Sequence, residues 1–406
     1  MRTVEQHVAA ALALVAPTDE VTVSWSTAQD LVLAADVRSL IDIPSWDNSA
    51  MDGFAVRAAD VSDATTTSPV VLRVIADLPA GTSERPLIGP GQAARIMTGA
   101  PLPEGADAVV PVERTHGLAD TVEITWTPAL GAHIRRRAED VSVGQPVLAA
   151  GQLLGPAQLA AAVAAGHSQL RVHRRPRVAI LATGNELTPP GEPLAFGCIY
   201  DSNSVLLAAA VKGAGAEPVQ VRTVGDDLAD LSTALGQLRD VDAAITSGGI
   251  SMGNKDVVKE LLQGDRFEFV EVALQPGRPQ GLGTLKSGIP LFALPGNPVS
   301  SLVSFTLFCL PAIRKLRGVS PAQPTTRVGV IGAGWETPAG RAQAMPVVWD
   351  YEPDVPELVN VRPATDGGSG SHLVTRLAVA TGFAMIDADT ARVKPGDRVQ
   401  IMEMPS

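Results

Sequence analysis

The stretch DAAITSGGISMGNKDVVKELL, residues 242–262, places a short apolar run, a glycine-rich loop and a helical pattern in direct succession. Short apolar runs that alternate with helical segments are typical of parallel sheets whose two faces are covered by helices. The same alternation extends in both directions, from VAILA at Val178 to PLFALPGNP at Pro290. This part of the chain is therefore expected to form an α/β domain with a parallel sheet.

The segments on both sides of this domain have strand and turn patterns. Between residues 41 and 135, alternating segments such as VVLRVIA and TVEITW are separated by Gly and Pro turns, which predicts a β-rich insert. After about residue 318 the pattern returns and ends in ARVKPGDRVQIM, which predicts a C-terminal β domain. The expected fold class is a multidomain α/β and β protein with four units: 1–40 plus 136–174 as a split helical and strand domain, 41–135, 175–318 and 319–406.

The N-terminal segment is expected to start with a helix. Thr3 and Gln6 match a capping box, and the acidic and polar residues before the apolar run at 8–16 do not suit a signal peptide. A strand, VTVSW, and a second helical run at residues 28–35 are predicted next. A further helix, PAQLAAAVAA, has proline in its first turn and Gly166 after its end.

Composition and charge exclude several classes of protein. The 406 residues carry a formal net charge of −11 without a broad basic stripe, so nucleic acid is not expected as a partner. The two cysteines, Cys198 and Cys309, form neither a disulfide framework nor a zinc motif and suit a reducing compartment. The apolar stretch at 299–310 is interrupted by Ser and Thr and is too short for a membrane span. A cytoplasmic protein without a membrane partner is predicted.

Each predicted strand of the α/β domain runs into a loop with glycine or acidic residues. Because the carboxyl ends of parallel strands meet at one edge of a sheet, these loops are expected to lie side by side. Glycine amides and helix N-termini attract phosphate-like anions, and carboxylates there could hold a magnesium ion that bridges phosphates. A single glycine pair after a strand is more often turn chemistry. The four loops are TGNEL (183–187), GDD (225–227), SGGISMGNKD (247–256) and LPGNP (294–298).

Two common nucleotide-binding motifs are absent from the sequence. The segment at 248–255 has the spacing G-x-x-x-x-G, but Asn254 separates Gly253 from Lys255, and Asp256 replaces the Ser or Thr of a P-loop. No GxGxxG fingerprint opens a helix, so a nicotinamide or flavin enzyme has no support. The predicted phosphate chemistry therefore belongs to another class of protein.

Two further segments, PSWDNSAMDGFAV (44–56) and RIMTGAPLPEGADAVV (95–110), are rich in turn residues. A solvated turn and a hairpin connection are the simplest interpretations of these segments taken alone. The run Arg135 to Arg137 is interpreted first as a solvated charged face, with a contact to a cofactor phosphate as the alternative.

Taken together, seven strings resemble the molybdopterin molybdenumtransferases, the bacterial homologues of the gephyrin E domain, in order and spacing over essentially the whole chain: DNSAMDGFAVRAAD, RIMTGAPLPEGADAVVPVE, HIRRRAEDV, LATGNEL, SGGISMGNKDVV, PGRP and LPGNPVSS. The resemblance implies a central domain with the molybdopterin-binding fold, a C-terminal β-barrel-like domain and a homodimer with its site between two subunits. It also implies insertion of molybdenum from molybdate into adenylylated molybdopterin, with Mg²⁺-dependent release of AMP.

The resemblance also implies roles for individual residues. The implied catalytic residues are Asp52, Glu186, Asp226 and Asp256, and the last three are also implied Mg²⁺ ligands. The implied cofactor-binding residues are Thr98, Thr183, Gly184, Ser247, Gly248, Gly249, Gly253, Pro295, Gly296 and Asn297. The implied molybdate-binding residues are Arg278, Pro279, Arg341 and Ser371.

This chain differs from the family pattern at two places in the implied molybdate site. Gln275 stands where many members have a lysine, and a second basic residue is replaced near Met345 and Pro346. Both differences bear on anion affinity, because a tetrahedral dianion needs cationic side chains and backbone N–H groups.

Two other functions remain alternatives at this stage. One is a non-catalytic scaffold like the gephyrin E domain, and the other is adenylyl transfer to molybdopterin by a related α/β domain. Residue types do not decide between molybdate and tungstate. Other molybdenum cofactor biosynthesis proteins are possible partners.

Overall fold

The computed structural model describes residues 1–117, 120–250, 256–264, 266–352, 355–364 and 370–404. At its centre lies a six-stranded sheet whose first four strands are parallel, as the sequence predicts. The strands of this sheet are, in spatial order, Glu217–Val224, Arg177–Thr183, Ala243–Ser247, Pro290–Leu294, Pro279–Thr284 and Phe267–Glu271.

Both faces of the central sheet are covered, which explains why its strands read as continuous apolar runs. In strand Arg177–Thr183, Ile180 packs in a core with helix Ser202–Gly213. Its neighbour Leu181 packs on the opposite face with helix Leu228–Gly236. Successive side chains of a strand point to opposite faces, so one strand supplies two hydrophobic cores.

The last two strands of the central sheet are antiparallel additions that the sequence pattern does not predict. Strand Pro279–Thr284 pairs antiparallel with Pro290–Leu294, and Phe267–Glu271 pairs antiparallel with Pro279–Thr284. The connection at residues 285–289 is too short for the crossover that a parallel pair needs. A hairpin therefore extends the parallel sheet at one side.

Seven helices occur in the described parts of the chain: Val4–Ala13, Pro156–Ala164, Ser202–Gly213, Leu228–Gly236, Val257–Leu262, Pro298–Leu316 and Val374–Leu377. Their ends follow the capping signals of the sequence. Thr3 and Gln6 form the predicted capping box, Asp227 caps the helix that follows it, and Gly166 has φ +96° just after a helix end.

Helix Pro298–Leu316 is long and apolar enough to cross a membrane by length and composition alone. Its apolar 18-residue window is, however, 83% buried inside the protein, which is typical of a core helix. Its middle turn, Phe305–Cys309, is π-helical, and every side chain of this turn is buried. The helix joins the central sheet to the C-terminal part of the molecule through one shared core.

The N-terminal part of the chain differs from the sequence prediction in two respects. The predicted helix at residues 28–35 is not formed; a 3₁₀ turn, Trp25–Thr27, and a short strand, Val32–Leu33, occupy this region. Asp30 has φ +61°, and its N–H donates to Leu154, so tertiary pairing prevails over local helical preference. Helix Val4–Ala13 packs in the core of the central sheet, not with the split unit in which its sequence position placed it.

The split unit and the β-rich insert each have their own sheets. The split unit contains a three-stranded sheet, Glu20–Ser24, Gln169–His173 and Val32–Leu33, and a pair, Val37–Arg38 with Pro146–Leu148. The insert contains a pair, Asn48–Ser49 with Ile134–Arg135, and a six-stranded sheet, Ala108–Pro111, Gly53–Val56, Gln92–Ile96, Val70–Leu78, Thr121–Ile124 and Thr115–His116.

The C-terminal sheet closes on itself, as a β-barrel-like domain requires. Strand Ala342–Glu352 pairs with both Val355–Pro363 and Gly382–Ile386, and the remaining pairs run through Thr326–Ile331 and Arg398–Glu403. One more strand, Leu274–Gln275, comes from the central domain and pairs with the start of Ala342–Glu352. A short antiparallel pair, Trp335–Glu336 with Arg392–Val393, also lies in the C-terminal region. The α/β domain contains one further short pair, Leu187–Thr188 with Ile199–Tyr200, which is parallel.

Candidate functional site

The four predicted loops lie along one edge of the central sheet, because the four strands that precede them are adjacent and parallel. Hydrogen bonds connect neighbouring loops: the N–H of Gly184 donates to Val224 and the N–H of Gly248 donates to Leu294, both at 3.1 Å. We call the described residues 183–187, 225–227, 247–250, 256 and 294–298 the sheet edge. Gly253 and its neighbours 251–255 lie outside the described residues.

The two glycines that follow strand Ala243–Ser247 have positive φ and no room for a side chain. Gly248 has φ +97°, and a Cβ there would lie 2.6 Å from the carbonyl oxygen of Thr183. Gly249 has φ +67°, and a Cβ there would meet Val258 at 2.8 Å. The backbone therefore turns sharply where strand Ala243–Ser247 ends, in a conformation that only glycine adopts without strain.

Asn203 connects two loops of the sheet edge, a role that sequence reasoning missed. Its side-chain amide donates to the hydroxyl of Ser247 at 2.8 Å and to the carbonyl of Gly296 at 2.6 Å. Its own side-chain oxygen is buried and has no hydrogen-bond partner within the described parts of the chain. The sequence signal was its position at the start of a helix, but the capping residue there is Asp201, which accepts from Ser204.

The acidic residues of the sheet edge occupy adjacent loops. Asp226 and Asn185 exchange two hydrogen bonds: the N–H of Asn185 donates to Asp226 at 3.1 Å, and the N–H of Asp226 donates to Asn185 at 3.0 Å. Glu186, the next residue, folds its carboxylate over Gly184, where a Cβ would lie 2.5 Å from a carboxylate oxygen. Asp256 is the residue before helix Val257–Leu262.

These carboxylates do not form a ready-made metal cage. Within the part of the chain that the structure describes, no group of three His, Cys, Asp or Glu side chains is arranged to hold a metal ion. The three predicted ligands Glu186, Asp226 and Asp256 are thus near one edge without being assembled around one point. Mg²⁺ commonly binds through one or two carboxylates together with substrate phosphates, and the hard oxygen donors present here fit that mode.

Asp52, an implied catalytic residue, and Thr98, an implied cofactor-binding residue, are in direct contact in the insert. One carboxylate oxygen of Asp52 accepts from the N–H of Thr98 at 2.7 Å and from its hydroxyl at 2.8 Å. These bonds from Thr98, with a smaller contribution from Arg95, lower the pKa of Asp52 below its usual value. Asp52 is exposed, so an ionised carboxylate is presented at the surface of the insert.

Two arginines of the HIRRRAEDV string pair with carboxylates in and just before the DNSAMDG segment. Arg136 pairs with Asp47 at 2.6 Å, and Arg137 pairs with Asp42 at 2.5 Å. A hydrogen bond from the N–H of Arg137 lowers the pKa of Asp47, and one from the N–H of Val143 lowers the pKa of Asp42. Arg136 and Arg137 remain 56% and 66% exposed in these pairs, which agrees with the predicted solvated charged face, and a contact with a cofactor phosphate stays a prediction.

A second site, which we call the anion cavity, lies where the central domain meets the C-terminal sheet. It has a volume of about 570 Å³ and includes all four residues implied to bind molybdate. None of the described residues that line it is a carboxylate. Residues that define the cavity chemically are Gln275, Arg278, Pro279, Arg341, Ser371 and His372.

The two arginines of the anion cavity differ in their partners. Arg278 donates to Glu271 at 2.7 Å, a residue for which the sequence offered no signal. Arg341 has no hydrogen-bond or ion-pair partner among residues that the structure describes. Ser371 accepts a 3.0 Å hydrogen bond from the side-chain amide of Asn297, which brings the anion cavity against the fourth loop of the sheet edge.

The two departures from the family pattern have different structural settings. Gln275 lines the anion cavity, so a neutral amide takes a place at its surface where a cation could act. Met345 is only 2% exposed and packs inside the closed C-terminal sheet, and Pro346 is buried beside it. Met345 therefore contributes to the core and not to the described lining of the cavity.

A glycine-rich sheet edge that adjoins a cavity lined by two arginines is typical of α/β enzymes with an anionic ligand. Three family models match successive parts of the chain: the MoeA N-terminal region (domain I and II) over residues 2–166, the probable molybdopterin binding domain over 179–315, and the MoeA C-terminal region (domain IV) over 329–404. The order of these matches follows the order of the domains in the structure.

Two curated relatives match over nearly their whole length. The chain is 42% identical over 412 residues to molybdopterin molybdenumtransferase 2 of Mycobacterium tuberculosis, with 100% of both chains covered. It is 36% identical over 390 residues to molybdopterin molybdenumtransferase of Nostoc sp., with 94% of this chain and 88% of that protein covered. The chain therefore belongs to the molybdopterin molybdenumtransferase family, a family of enzymes of molybdenum cofactor biosynthesis.

Solved structures agree with this assignment. A molybdopterin biosynthesis moeA protein from Pyrococcus horikoshii has a TM-score of 0.80 at 30% identity, with 99% of this chain and 98% of that chain covered. A second structure of such a protein from the same organism has a TM-score of 0.84 at 25% identity, with 99% and 100% covered. The fold class predicted from the sequence is confirmed.

Proposed function

We propose that this chain inserts molybdenum from molybdate into adenylylated molybdopterin, with Mg²⁺-dependent release of AMP. The observation that carries the proposal is the contact between two sites of different chemistry. The sheet edge suits a phosphate-bearing ligand, the anion cavity suits a small oxyanion, and the bond from Asn297 to Ser371 joins them. A reaction between a nucleotide-linked pterin and molybdate needs such neighbouring sites.

The pterin nucleotide is assigned to the sheet edge. Gly248 and Gly249 have no side chain to hold a pyrophosphate away from the backbone, and the N–H of Gly249 makes no backbone hydrogen bond with the described residues, so it can donate to the ligand. Thr183 and Ser247 are the last residues of their strands and are buried, so they support the loops that would contact the nucleotide. Asn297 bonds to Ser371 of the anion cavity, and Pro295 and Gly296 precede it in the same loop of the sheet edge.

Mg²⁺ is assigned to the acidic side of the same edge, where Glu186 and Asp226 lie on adjacent loops and Asp256 begins a helix. When bound, the ion would neutralise charge on the nucleotide phosphates. The residues themselves hold ionised oxygens at the edge, and the pair of hydrogen bonds between Asn185 and Asp226 fixes one carboxylate in orientation.

Molybdate is assigned to the anion cavity as a substrate. A tetrahedral dianion is bound best by guanidinium groups, which donate in pairs, and by hydroxyl and backbone donors. Arg278, Arg341 and Ser371 supply these groups, while Pro279 shapes the wall beside Arg278. The absence of carboxylates from the described lining of the cavity supports an anion as its occupant.

A homodimer is also part of the proposal, with Asp52 and Thr98 of one subunit facing the sheet edge of the other. Exposed apolar side chains at the junction of the split unit and the insert support a second copy as a partner: Leu40, Ile41 and Val143 are 58%, 43% and 59% exposed. They lie near one another because the N–H of Gly144 donates to Ser39 at 2.7 Å. A cytoplasmic location and contacts with other molybdenum cofactor biosynthesis proteins complete the proposal.

The test is a reaction of the purified protein with adenylylated molybdopterin, molybdate and Mg²⁺. AMP and active cofactor are the expected products, and the Asp226→Asn variant should lose most of the rate. Asp230→Asn, in the first turn of the following helix, is the matched control and should retain it. Binding of the nucleotide without AMP release would favour a scaffold, and pyrophosphate release from ATP and molybdopterin would favour adenylyl transfer.

A further inference from the structure

Arg278 of the anion cavity is paired with a carboxylate outside the cavity lining. Its guanidinium lies 2.7 Å from the carboxylate of Glu271. The backbone fixes this arrangement, because Glu271 is the register partner of Pro279 in the antiparallel pair and the N–H of Val272 donates to the carbonyl of Arg278 at 2.8 Å. Glu271 is thus held beside the cavity by the strand that carries it.

The second cation of the cavity has no such partner. Arg341 makes no hydrogen bond or ion pair with any residue in the described ranges. An incoming anion therefore meets one arginine that is free of a carboxylate and one whose charge is partly neutralised. Both members of the Glu271–Arg278 pair are partly exposed, at 37% and 48% of their side chains, so the pair can rearrange without a large desolvation step.

We propose that Glu271 is a positioning residue that acts through Arg278 and lowers the affinity of the anion cavity for tetrahedral dianions. Its carboxylate competes with the oxyanion for one guanidinium and repels the bound dianion from a short distance. This inference rests on the proposed assignment of molybdate to the cavity. It adds a residue that sets how tightly the oxyanion is held, and it explains why a carboxylate stands next to an otherwise cationic site.

The variant Glu271→Gln tests the inference, because the amide keeps the shape and an acceptor oxygen while it removes the charge. We expect the affinity for molybdate and sulfate to rise by roughly 3- to 10-fold at low salt, as for charges a few ångströms apart near a protein surface. Nitrate, a monoanion, should gain less, because the repulsion that is removed scales with the charge of the ligand. The gain should shrink as ionic strength rises.

Glu268→Gln is the matched control. Glu268 lies on the same strand and forms a 2.6 Å ion pair with Arg2, and neither of these residues lines the anion cavity. Glu268→Gln removes one negative charge from the same strand, so an effect of net charge or of strand stability would appear in both variants. Affinities are measured by titration calorimetry on the full chain, and thermal unfolding of each variant verifies that it is folded.

Several results would overturn the inference. An unchanged or weaker molybdate affinity in Glu271→Gln would show that the carboxylate orients Arg278 for binding or has no influence. Equal gains for molybdate and nitrate would point to a steric cause in place of the charge. If wild-type protein bound molybdate with no dependence on Arg278 and Arg341, the assignment of the cavity itself would fail, whereas normal dependence on both arginines with no effect of Glu271→Gln would remove only this inference.

Discussion

The side-chain amide of Asn297 donates a 3.0 Å hydrogen bond to the hydroxyl oxygen of Ser371. A second bond, from the N–H of Val299 to the carbonyl of Ser371 at 3.1 Å, fastens the same two segments. Asn297 belongs to the sheet edge and Ser371 to the anion cavity, so residues 74 positions apart in sequence form the boundary between the two proposed substrate sites.

The arginines of the anion cavity should each contribute strongly to molybdate binding. We expect Arg341→Ala and Arg278→Ala to weaken molybdate binding by roughly 10-fold or more, because charge-assisted hydrogen bonds contribute about 1.5–3 kcal/mol each. Arg278→Lys should recover only part of the loss, since an ammonium group cannot donate in a planar pair.

Titration calorimetry with molybdate measures these affinities. Arg392→Ala is the control, because Arg392 pairs with Glu336 on an exposed strand of the C-terminal region and does not line the cavity. Equal losses in Arg341→Ala and Arg392→Ala would mean that molybdate senses only the net charge of the protein.

The turn at Gly248 should tolerate no side chain. Gly248→Ala would force a residue to φ +97° and place its Cβ 2.6 Å from a carbonyl oxygen, so we expect a loss of about 1–3 kcal/mol in the free energy of unfolding. Gly236→Ala is the matched control, because Gly236 ends helix Leu228–Gly236 with nothing within 4 Å of its Cβ position. This control should be neutral or stabilising by up to about 1 kcal/mol.

Chemical denaturation of both variants measures the difference. A Gly248→Ala protein that was as stable as Gly236→Ala would contradict the close packing of this loop against Thr183. If Gly248→Ala bound nucleotide more weakly but unfolded with an unchanged free energy, the added methyl group would destabilise only the ligand-bound protein.

Asn203 should contribute both to the stability of the fold and to nucleotide binding at the sheet edge. Asn203→Ala would remove the donor for Ser247 and Gly296, and a buried acceptor left without a partner costs about 1–3 kcal/mol. Asn203→Asp keeps the size but places a negative charge where the phosphates are proposed to bind.

Denaturation and nucleotide titration distinguish these two effects. We expect Asn203→Asp to weaken nucleotide binding more than Asn203→Ala does, even if the two variants unfold at similar denaturant concentrations. The reverse order of affinities would argue against an anion near Asn203.

His7 should make the stability of the protein depend on pH. The ring is 1% exposed, with its centroid 4.5 Å from that of Phe308, and burial, with a smaller effect of Arg2, lowers its pKa from 6.5 to about 4. The unfolded chain therefore binds a proton that the folded protein does not between pH 6.5 and 4. The free energy of unfolding should therefore fall as pH falls through this window. Protonation of His7 accounts for a total loss of about 3 kcal/mol once the pH is below 4.

Replacement of His7 by Phe removes the titrating group and should flatten the profile between pH 6.5 and 4. His116→Phe, which replaces an exposed histidine of the insert, retains His7 and should keep the slope. Unfolding free energies measured by denaturant titration at several pH values provide the comparison. An unchanged slope in His7→Phe would assign the pH dependence to other groups.

Much of the architecture could be predicted from local sequence. The apolar runs at Val178 and Pro290, the capping box at Thr3 and the helix stop at Gly166 all correspond to elements of the structure, because each depends on interactions within a few residues. The secondary-structure prediction was wrong where tertiary hydrogen bonds outweighed a local helical preference. The segment at 28–35 has helical character, yet backbone bonds to residues near Leu154 hold it as a turn and a strand.

The sequence by itself determined the family, the parallel core of the central sheet and the residue types available for anion and metal chemistry, because these are encoded in short, ordered motifs. Only the tertiary structure decided which of those residues meet. The Asn203 bridge, the pairing of Glu271 with Arg278 and the contact of Asn297 with Ser371 each join segments that are separate in sequence or lie on different strands. Side-chain contacts of this kind depend on how sheets and helices pack, and packing is a property of the whole fold that no local pattern contains.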